Sequence, residues 1–398
     1  MTSLPTSKPG IRIALAGDLC LGDEFVTEAA GRGRDVLFPF REILPVLSSC
    51  DIGLLNLEGP VERSEHPRAD VTTRLANDRS VWRFLEQART SVVCLANNHI
   101  MDFGTQSLTA TRDMLAEHGM HGIGAGLNLD EARRTAILER GGTRVAFLAF
   151  TTDREEVRSI LATPSTAGCA PLGDREDVLS RVAAARDRAD IVCVSIHWGR
   201  EFFRYPAPEQ VALARDLADA GAQLVVGHHP HVLQGFETYR DSLLLYSLGN
   251  FFFPPVRTIH GRRQIQHRAE TEFMVVLCDI APGATPRIEI VGGQRRGDGR
   301  LSIYRGGQRK RFAARIRTLA APLARPDYTS FWEDYRVRRE NELVREHVVD
   351  ALRKLCRLSP AQALATIRPR DIIRNLRRIH ALGAGTRGGR TPRRHGSA

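Results

Sequence analysis

Short apolar runs alternate with helical stretches between residues 11 and 294, and this alternation constrains the fold more than any other feature. Most of the runs are continuous rather than alternating, which is typical of strands buried on both faces. The candidate strands cover residues 11–16, 52–56, 92–96, 145–150, 191–196 and 224–226. Helical patterns lie between them at 105–118, 174–189 and 207–220. The alternation predicts an α/β architecture in which helices cover a sheet.

After Gly227 the apolar runs become hairpin-like, at 232–239, 242–248 and 272–280. Together with the earlier strands they predict two packed β-sheets flanked by helices. We place the first domain at 10–294 and a basic, mostly helical extension at 295–382. In that extension we expect an irregular Gly- and Arg-rich stretch at 295–330 and helices at 332–356 and 360–379. Residues 383–398 contain no large apolar side chain, and we expect a disordered tail there.

The charge of the chain is unevenly distributed. Residues 295–398 hold 26 Lys+Arg against 9 Asp+Glu, a net charge of +17, although the whole chain carries +11. Such a basic segment is suited to an acidic partner, whether a peptide, a nucleic acid or an anionic polymer. The alternative interpretation is a solvated basic surface, with part of the arginine excess due to GC-rich coding.

Cysteine usage and hydropathy indicate the compartment. The seven cysteines are scattered without a CxxC pair, which excludes a disulfide scaffold and a zinc ribbon. The first ten residues form no apolar signal region, and no apolar run approaches the roughly 18 residues of a membrane span. We therefore predict a soluble, cytoplasmic protein that does not contact a membrane.

Polar residues follow nearly every candidate strand. Because parallel strand ends share one edge of an open α/β sheet, these side chains are expected to converge on one ligand site. Taken singly, each has a structural explanation as a turn or cap residue. Five strand ends of this kind make a site the better interpretation. The strand-end sequences are Gly17-Asp18, Asn56-Leu57-Glu58-Gly59, Asn97-Asn98-His99, His197-Trp198-Gly199 and Gly227-His228-His229-Pro230-His231.

With Asp102, Gly104 and the later Tyr246-Ser247-Leu248-Gly249-Asn250, this set resembles the CapA family of capsule or poly-γ-glutamate synthesis proteins. That family is a branch of the calcineurin-like metallophosphoesterase superfamily. The resemblance covers about 10–290 and implies a four-layer α/β/β/α sandwich with a metal site at the strand ends. It also implies that Asn98 binds metal, that His99 is a general acid, and that His197, His229 and His231 correspond to later histidine ligands.

Two departures from the superfamily pattern affect the metal site. Its Asp-x-His motif is here Asp18-Leu19-Cys20, so one histidine ligand is missing. Its bridging aspartate is lost or replaced by Glu58. Because two-metal phosphoryl transfer needs both ions, we predict a single divalent cation instead. Its ligands would be Asp18, Glu58 and Asn98, with His229 as the imidazole partner, and these oxygen donors favour calcium over zinc, with magnesium or manganese as alternatives.

For catalysis we predict that His99, oriented by Asp102, transfers one proton, and that His231 or His197 serves the opposite face. The alternative is that Asp102 only caps the helix that starts near Thr105. No GxGxxG motif opens a helix after a strand, so no organic cofactor is expected.

The sequence is compatible with four functions, of which three are enzymatic or accessory and one is binding alone. The altered site and the missing export signal favour a narrower resemblance, to lasso-peptide epimerases that invert the Cα of a C-terminal tryptophan. The partner would then be a precursor peptide, not a nucleic acid. The alternatives are a CapA-type accessory role in anionic polymer synthesis, a metal-dependent phosphoesterase, and a non-enzymatic polymer- or peptide-binding protein.

Overall fold

A computed structural model describes residues 10–64, 67–259 and 268–355. The chain divides into two compact units, Met1–Tyr328 and Thr329–Ala398. The strands are β1 (Ile11–Leu19), β2 (Ile52–Leu57), β3 (Thr90–Cys94), β4 (His121–Ile123), β5 (Ala125–Gly126), β6 (Ala136–Arg140), β7 (Thr143–Thr151), β8 (Gly168–Cys169), β9 (Ile191–His197), β10 (Leu224–His228), β11 (Phe236–Tyr239), β12 (Ser242–Leu245), β13 (Asn250–Phe252), β14 (Glu272–Ile280), β15 (Arg287–Arg295) and β16 (Leu301–Ile303). The α-helices are α1 (Asp23–Ala30), α2 (Leu44–Leu47), α3 (Val81–Gln87), α4 (Gly104–Glu117), α5 (Leu129–Ala132), α6 (Arg175–Arg186), α7 (Pro208–Asp219), α8 (Gly306–Ala320) and α9 (Tyr328–Leu355).

Two mixed sheets form the centre of the first unit. The first has the strand order β16-β15-β14-β1-β2-β3-β4, with β13 paired to the end of β1. Strands β1 to β4 are parallel, whereas β14 is antiparallel to β1. The second has the order β11-β12-β10-β9-β7-β6, and its four central strands are parallel. Each sheet therefore has parallel strand ends at one edge, where a ligand site is expected.

The strands bury both faces because their side chains alternate between two cores. Ile13 and Leu15 of β1 pack with Phe147 of β7 and Val226 of β10, between the two sheets. Neighbouring residues on the opposite face of the first sheet pack against α2, α3 and α4. On the outer face of the second sheet lie α6 and α7. The predicted four-layer α/β/β/α sandwich is thus confirmed.

Helix α8 lies in a stretch that the sequence analysis expected to be irregular, and that expectation is wrong. Phe312, Ile316 and Leu319 recur at helical spacing and are buried in the core between the sheets. Gly292 of β15 permits the close approach, because a Cβ there would lie 2.1 Å from Phe312 Cε1. The first unit consequently extends to Tyr328, whereas the predicted boundary lies at 294.

Helix 332–356 is confirmed as α9 through Leu355. The second helix at 360–379, the end of the 295–382 extension and the tail at 383–398 lie outside the described residues. Within the described ranges, no helix is both long and apolar enough to cross a membrane.

Truncating Phe312 to alanine should destabilise the first unit by about 3–5 kcal/mol, the usual cost of deleting a buried aromatic ring. Leu127, which is 39% exposed, is the control, and Leu127→Ala should change the free energy of unfolding by about 0.5 kcal/mol or less. Denaturant unfolding of both variants measures the difference. Equal effects would show that α8 does not stabilise the inter-sheet core.

Candidate metal centre

Strand register brings the polar strand ends together. Asp18 at the end of β1 lies beside Asn56 of β2 and beside Asn250 of β13. In the second sheet His228 of β10 lies beside His197 of β9. Since the two sheets pack face to face, carboxylates from one sheet meet imidazoles from the other.

Four buried side chains form what we call the acidic cluster: Asp18, Glu58, His228 and His231. His228 Nδ1 lies 3.2 Å from Asp18 Oδ1, and His231 Nδ1 lies 3.6 Å from Asp18 Oδ2. His231 Nε2 lies 3.6 Å from Glu58 Oε1. Asp18, Glu58 and His231 each place one ligand atom within 4.8 Å of the others. Two carboxylates and an imidazole at this separation can bind one divalent cation.

Glu58 provides the test of whether a metal ion fits. Its two carboxylate oxygens are buried and accept no hydrogen bond from the described residues. Burial, followed by the charges of Asp18 and Glu201, raises the pKa of Glu58 well above its ordinary value. Burial alone would also raise the pKa of Asp18, but the His228 imidazole, with Nδ1 3.2 Å from Asp18 Oδ1, outweighs it and lowers that pKa. A buried carboxylate without a donor, beside an ionised one, is stabilised by a cation, so the residues fit the metal that the resemblance implies.

The tautomer of His231 follows from its neighbours. Asn250 Nδ2 donates to the Glu270 carbonyl, which turns Asn250 Oδ1 toward His231 Nδ1 at 2.8 Å. Nδ1 therefore carries the proton, and the lone pair of His231 is on Nε2, the atom nearest Glu58. The backbone of His231 has a positive φ of 57°, a conformation that is costly for a residue with a side chain. This strained turn holds the imidazole in the acidic cluster.

Asn98, His197 and His229 form a second group, which we call the neutral cluster. His197 Nε2 lies 2.9 Å from Asn98 Oδ1 and 3.0 Å from His229 Nδ1. Burial lowers the pKa of His229 to about 4, and burial with the charge of His229 lowers the pKa of His197 well below its ordinary value. Both imidazoles are consequently uncharged at neutral pH. The predicted ligands are thus divided, with Asp18 and Glu58 in the acidic cluster and Asn98 and His229 in the neutral cluster.

Glu201 is a further candidate ligand that was not predicted from the sequence. Glu201, His229 and His231 form a second group of ligand atoms within 4.8 Å of one another. Both three-residue groups include His231, and a neutral imidazole has only one lone pair. Among the described residues, only one of these two three-residue ligand groups can therefore be complete at a time. The only sequence signal for Glu201 is its position in the loop that follows the His197 strand end.

His99 and Asp102 form a hydrogen-bonded pair beside the acidic cluster. Asp102 Oδ2 accepts from His99 Nδ1 at 2.6 Å and from the Leu75 backbone N–H at 2.9 Å. His99 Nε2 therefore carries the lone pair, and it lies 4.0 Å from Glu58 Oε1. Asp102 does not cap α4, because the N-cap of that helix is Phe103 and no side chain there accepts a hydrogen bond from the first turn. The pair can take up or release a proton at Nε2, next to the place where a cation fits.

Cys20, which stands where the superfamily has a histidine, is not among the groups of potential metal ligands in the described part of the chain. It packs instead with Leu75, Phe253 and Val256 in a small apolar cluster.

Asn97 has a structural role, since its Nδ2 donates to Asn56 Oδ1 and to the Leu57 carbonyl. Asn56 in turn donates to Asp18 Oδ1 at 2.9 Å and orients that carboxylate.

A family model described as "Bacterial capsule synthesis protein PGA_cap" matches residues 12–255. "Capsule biosynthesis protein CapA" of Bacillus anthracis is 34% identical over 251 residues, which cover 61% of this chain and 60% of that protein. "PGA biosynthesis protein CapA" of Bacillus subtilis (strain 168) is 34% identical over 244 residues, covering 60% and 62%. A "probable polyglutamine synthesis accessory protein" of Mycobacterium tuberculosis is 34% identical over 228 residues, covering 54% and 60%. The chain thus spans about 60% of the length of these relatives.

Two solved structures match the chain at low sequence identity. A hypothetical protein from Thermus thermophilus is 17% identical with a TM-score of 0.44, and the match covers 71% of this chain and 99% of that one. A structure titled as a novel phosphatase of Mycoplasma pneumoniae is 14% identical with a TM-score of 0.45, covering 72% and 94%.

Proposed function

Since the chain belongs to the PGA_cap family of bacterial capsule synthesis proteins, we propose that it is a metal-dependent enzyme of anionic polymer synthesis. Its substrate would be a chain of carboxylate-bearing units, and His99 would carry the proton. The observation that supports this proposal is the buried carboxylate Glu58, which has no hydrogen-bond donor among the described residues and lies beside the imidazole of His99. A binding protein without catalysis has no need of a proton carrier at that place. The cytoplasmic location stays a prediction.

Asp18, Glu58 and His231 Nε2 are the residues that would hold the cation, and the oxygen donors favour calcium, magnesium or manganese. When bound, the cation would neutralise negative charge on a substrate carboxylate or carbonyl oxygen. The neutral cluster lies next to it, because the His229 backbone N–H donates to Asp18 Oδ2 at 3.3 Å. Asn98 and His229 stay predicted ligands.

A proton is moved at His99 Nε2. Asp102 fixes the tautomer of His99, while the Leu75 N–H holds the carboxylate in place. The Arg68 guanidinium donates to the Asn98 carbonyl at 3.1 Å and lies 4.0 Å from Asp102 Oδ1. These contacts orient the imidazole before a substrate arrives, which reduces the reorganisation needed during proton transfer.

A peptide epimerase is the second candidate, and the position of two imidazoles favours it. His99 Nε2 and His231 Nε2 lie 4.0 Å and 3.6 Å from the same oxygen, Glu58 Oε1. Inversion at Cα requires one group to remove the proton and another to return it from the opposite face. In this candidate His231 transfers a proton and is not a ligand, and the substrate is a precursor peptide. The two candidates thus assign different roles to His231.

The metal content of the protein separates both candidates from a two-metal phosphoesterase. After chelation and reloading, we expect about one equivalent of calcium, magnesium or manganese by elemental analysis, because the described residues complete one three-ligand set at a time. Asp18→Asn should abolish this binding, whereas Glu201→Gln, which alters only the second group, should leave the stoichiometry unchanged. Two equivalents of zinc or iron would contradict the proposal and favour a phosphoesterase.

The reaction itself is tested with γ-linked glutamate oligomers, a model peptide ending in tryptophan, and a phosphodiester, each incubated with reloaded protein in deuterated water. The expected result is that the glutamate oligomer is chemically converted and that this conversion requires the metal. One deuteron gained at an inverted Cα of the peptide, without change in the oligomer, would favour the epimerase. Phosphodiester cleavage alone would overturn both candidates.

A further inference from the structure

A cavity of about 610 Å³ lies next to the metal centre, within the size range of ligand pockets. Its lining comes from five segments: the end of β1 through α1, the loop before α3, Phe103 before α4, the segment after β13, and the turn between β15 and β16. We call it the arginine cleft, because five of its lining residues are arginines: Arg32, Arg63, Arg74, Arg257 and Arg295.

A single layer of side chains separates the cleft from the predicted catalytic residues. Cys20, Leu75 and Val256 line the cleft and pack with Phe253. The Phe253 ring lies 5.1 Å from the His231 ring, edge to face. On the other side the Leu75 N–H binds Asp102, and Phe103, the next residue, also lines the cleft. A chain lying in the cleft would therefore pass within one layer of side chains of the His99–Asp102 pair.

Among the described residues that line the cleft, five arginines outnumber the three acidic residues Glu24, Glu28 and Asp298. Arg257 donates to Glu24 at 2.9 Å, so that pair is internally neutralised. No carboxylate of a described residue lies within 4.0 Å of the guanidinium of Arg32 or Arg74. The Arg74 guanidinium is nonetheless held, because its Nε donates to the Arg68 carbonyl at 2.5 Å. A fixed guanidinium without a carboxylate is pre-organised to bind one by two parallel hydrogen bonds.

Apolar surface lies between these charges. Phe25, Pro254, Pro255, Val256 and Ile259 contribute to the lining, and the Arg63 guanidinium lies 5.6 Å from the centre of the Phe103 ring. An alternation of arginines and apolar patches matches a chain in which methylene groups separate carboxylates. A polyphosphate or nucleic acid carries a charge on every unit and is bound by a denser array of basic residues.

We propose that the arginine cleft binds the carboxylate-bearing chain outside the reacting unit, with Arg32 and Arg74 each pairing with one carboxylate. The location beside His99 rests on the proposed function, but the binding itself does not require turnover. The cleft would keep an acidic polymer in place while its reacting unit lies at the metal centre, and it would select chains with several carboxylates over single residues.

The test is binding of a fluorescent γ-linked glutamate oligomer to the full-length protein, measured by anisotropy. Arg32→Gln with Arg74→Gln should weaken binding about a hundredfold, roughly tenfold for each lost charge-assisted pair. Arg188→Gln removes an exposed arginine outside the cleft and should leave the affinity unchanged. Added salt should weaken wild-type binding more than binding by the double variant.

Two further arms distinguish the cleft from the catalytic proposal and from other polyanions. His99→Asn protein should bind the oligomer normally, because His99 lies outside the cleft. Cleft-dependent binding without turnover would overturn the proposed function and leave the cleft proposal intact. Equal affinities of the wild type and the double variant would overturn the cleft proposal alone. Tighter, arginine-dependent binding of polyphosphate would overturn the assignment to carboxylates.

Discussion

A Glu58→Gln variant is expected to lose the divalent cation and yet to be more stable than the metal-free wild-type protein. The substitution removes one of two carboxylates in the acidic cluster, so metal affinity should fall below detection. In the metal-free wild type, Glu58 is buried near ionised Asp18 without a hydrogen-bond donor from the described residues. Above the raised pKa of Glu58, removing this buried, unpaired charge should stabilise the metal-free variant by about 1–3 kcal/mol, the cost of leaving a buried acceptor without a partner.

The pH dependence of this effect has a definite sign. Because the folded-state pKa of Glu58 is raised, the folded protein holds a proton that the unfolded chain releases near its ordinary value. The stability of the metal-free wild type should therefore fall as the pH rises from about 4.3 toward the raised pKa, and should then level off. Glu58→Gln removes the titrating group, so its stability advantage should grow over the same pH window.

Thermal unfolding across this pH range, with and without metal, measures both effects. Metal at a hundred times its dissociation constant should stabilise the wild type by about 2.7 kcal/mol and Glu58→Gln not at all. Glu86→Gln, which removes an exposed carboxylate, is the control and should behave like the wild type. A Glu58→Gln protein that still gains stability from the cation would remove Glu58 from the ligand set.

The convergence of the strand ends was predictable because it depends on backbone topology. Continuous apolar runs specify strands that are buried on both faces, and parallel strands place the residues that follow them on one edge. Asp18, Asn56 and His197 therefore come together once the strand order is given. The division into an acidic and a neutral cluster depends on the directions in which individual side chains point. Sequence spacing does not encode these directions.

The missed elements have equally specific causes. Phe312, Ile316 and Leu319 follow helical spacing. However, Gly306-Gly307 and five basic residues give this helix the overall composition of an irregular polar segment. Glu201 lies in a loop where Phe202, with a positive φ of 66°, donates its N–H to the Pro230 carbonyl and so joins the loop to the histidine segment. The arginine cleft is assembled from five distant segments, so no window of the sequence contains it.

A His99→Asn variant is expected to lower kcat by about 10²–10⁴, the usual contribution of a positioned acid or base, while metal affinity stays at the wild-type level. The reason is that His99 Nε2 faces the site but belongs to neither three-residue ligand group. Asp102→Asn should lower kcat with little change in KM, because Asp102 acts through the imidazole and not on the substrate. The exposed His121 serves as the control, and His121→Asn should retain full kcat.

Steady-state kinetics on the substrate that turns over, with calorimetric metal titration, measures both kcat and metal affinity. Full activity of His99→Asn would exclude His99 as the proton carrier, whereas simultaneous loss of metal and activity would identify it as a ligand instead.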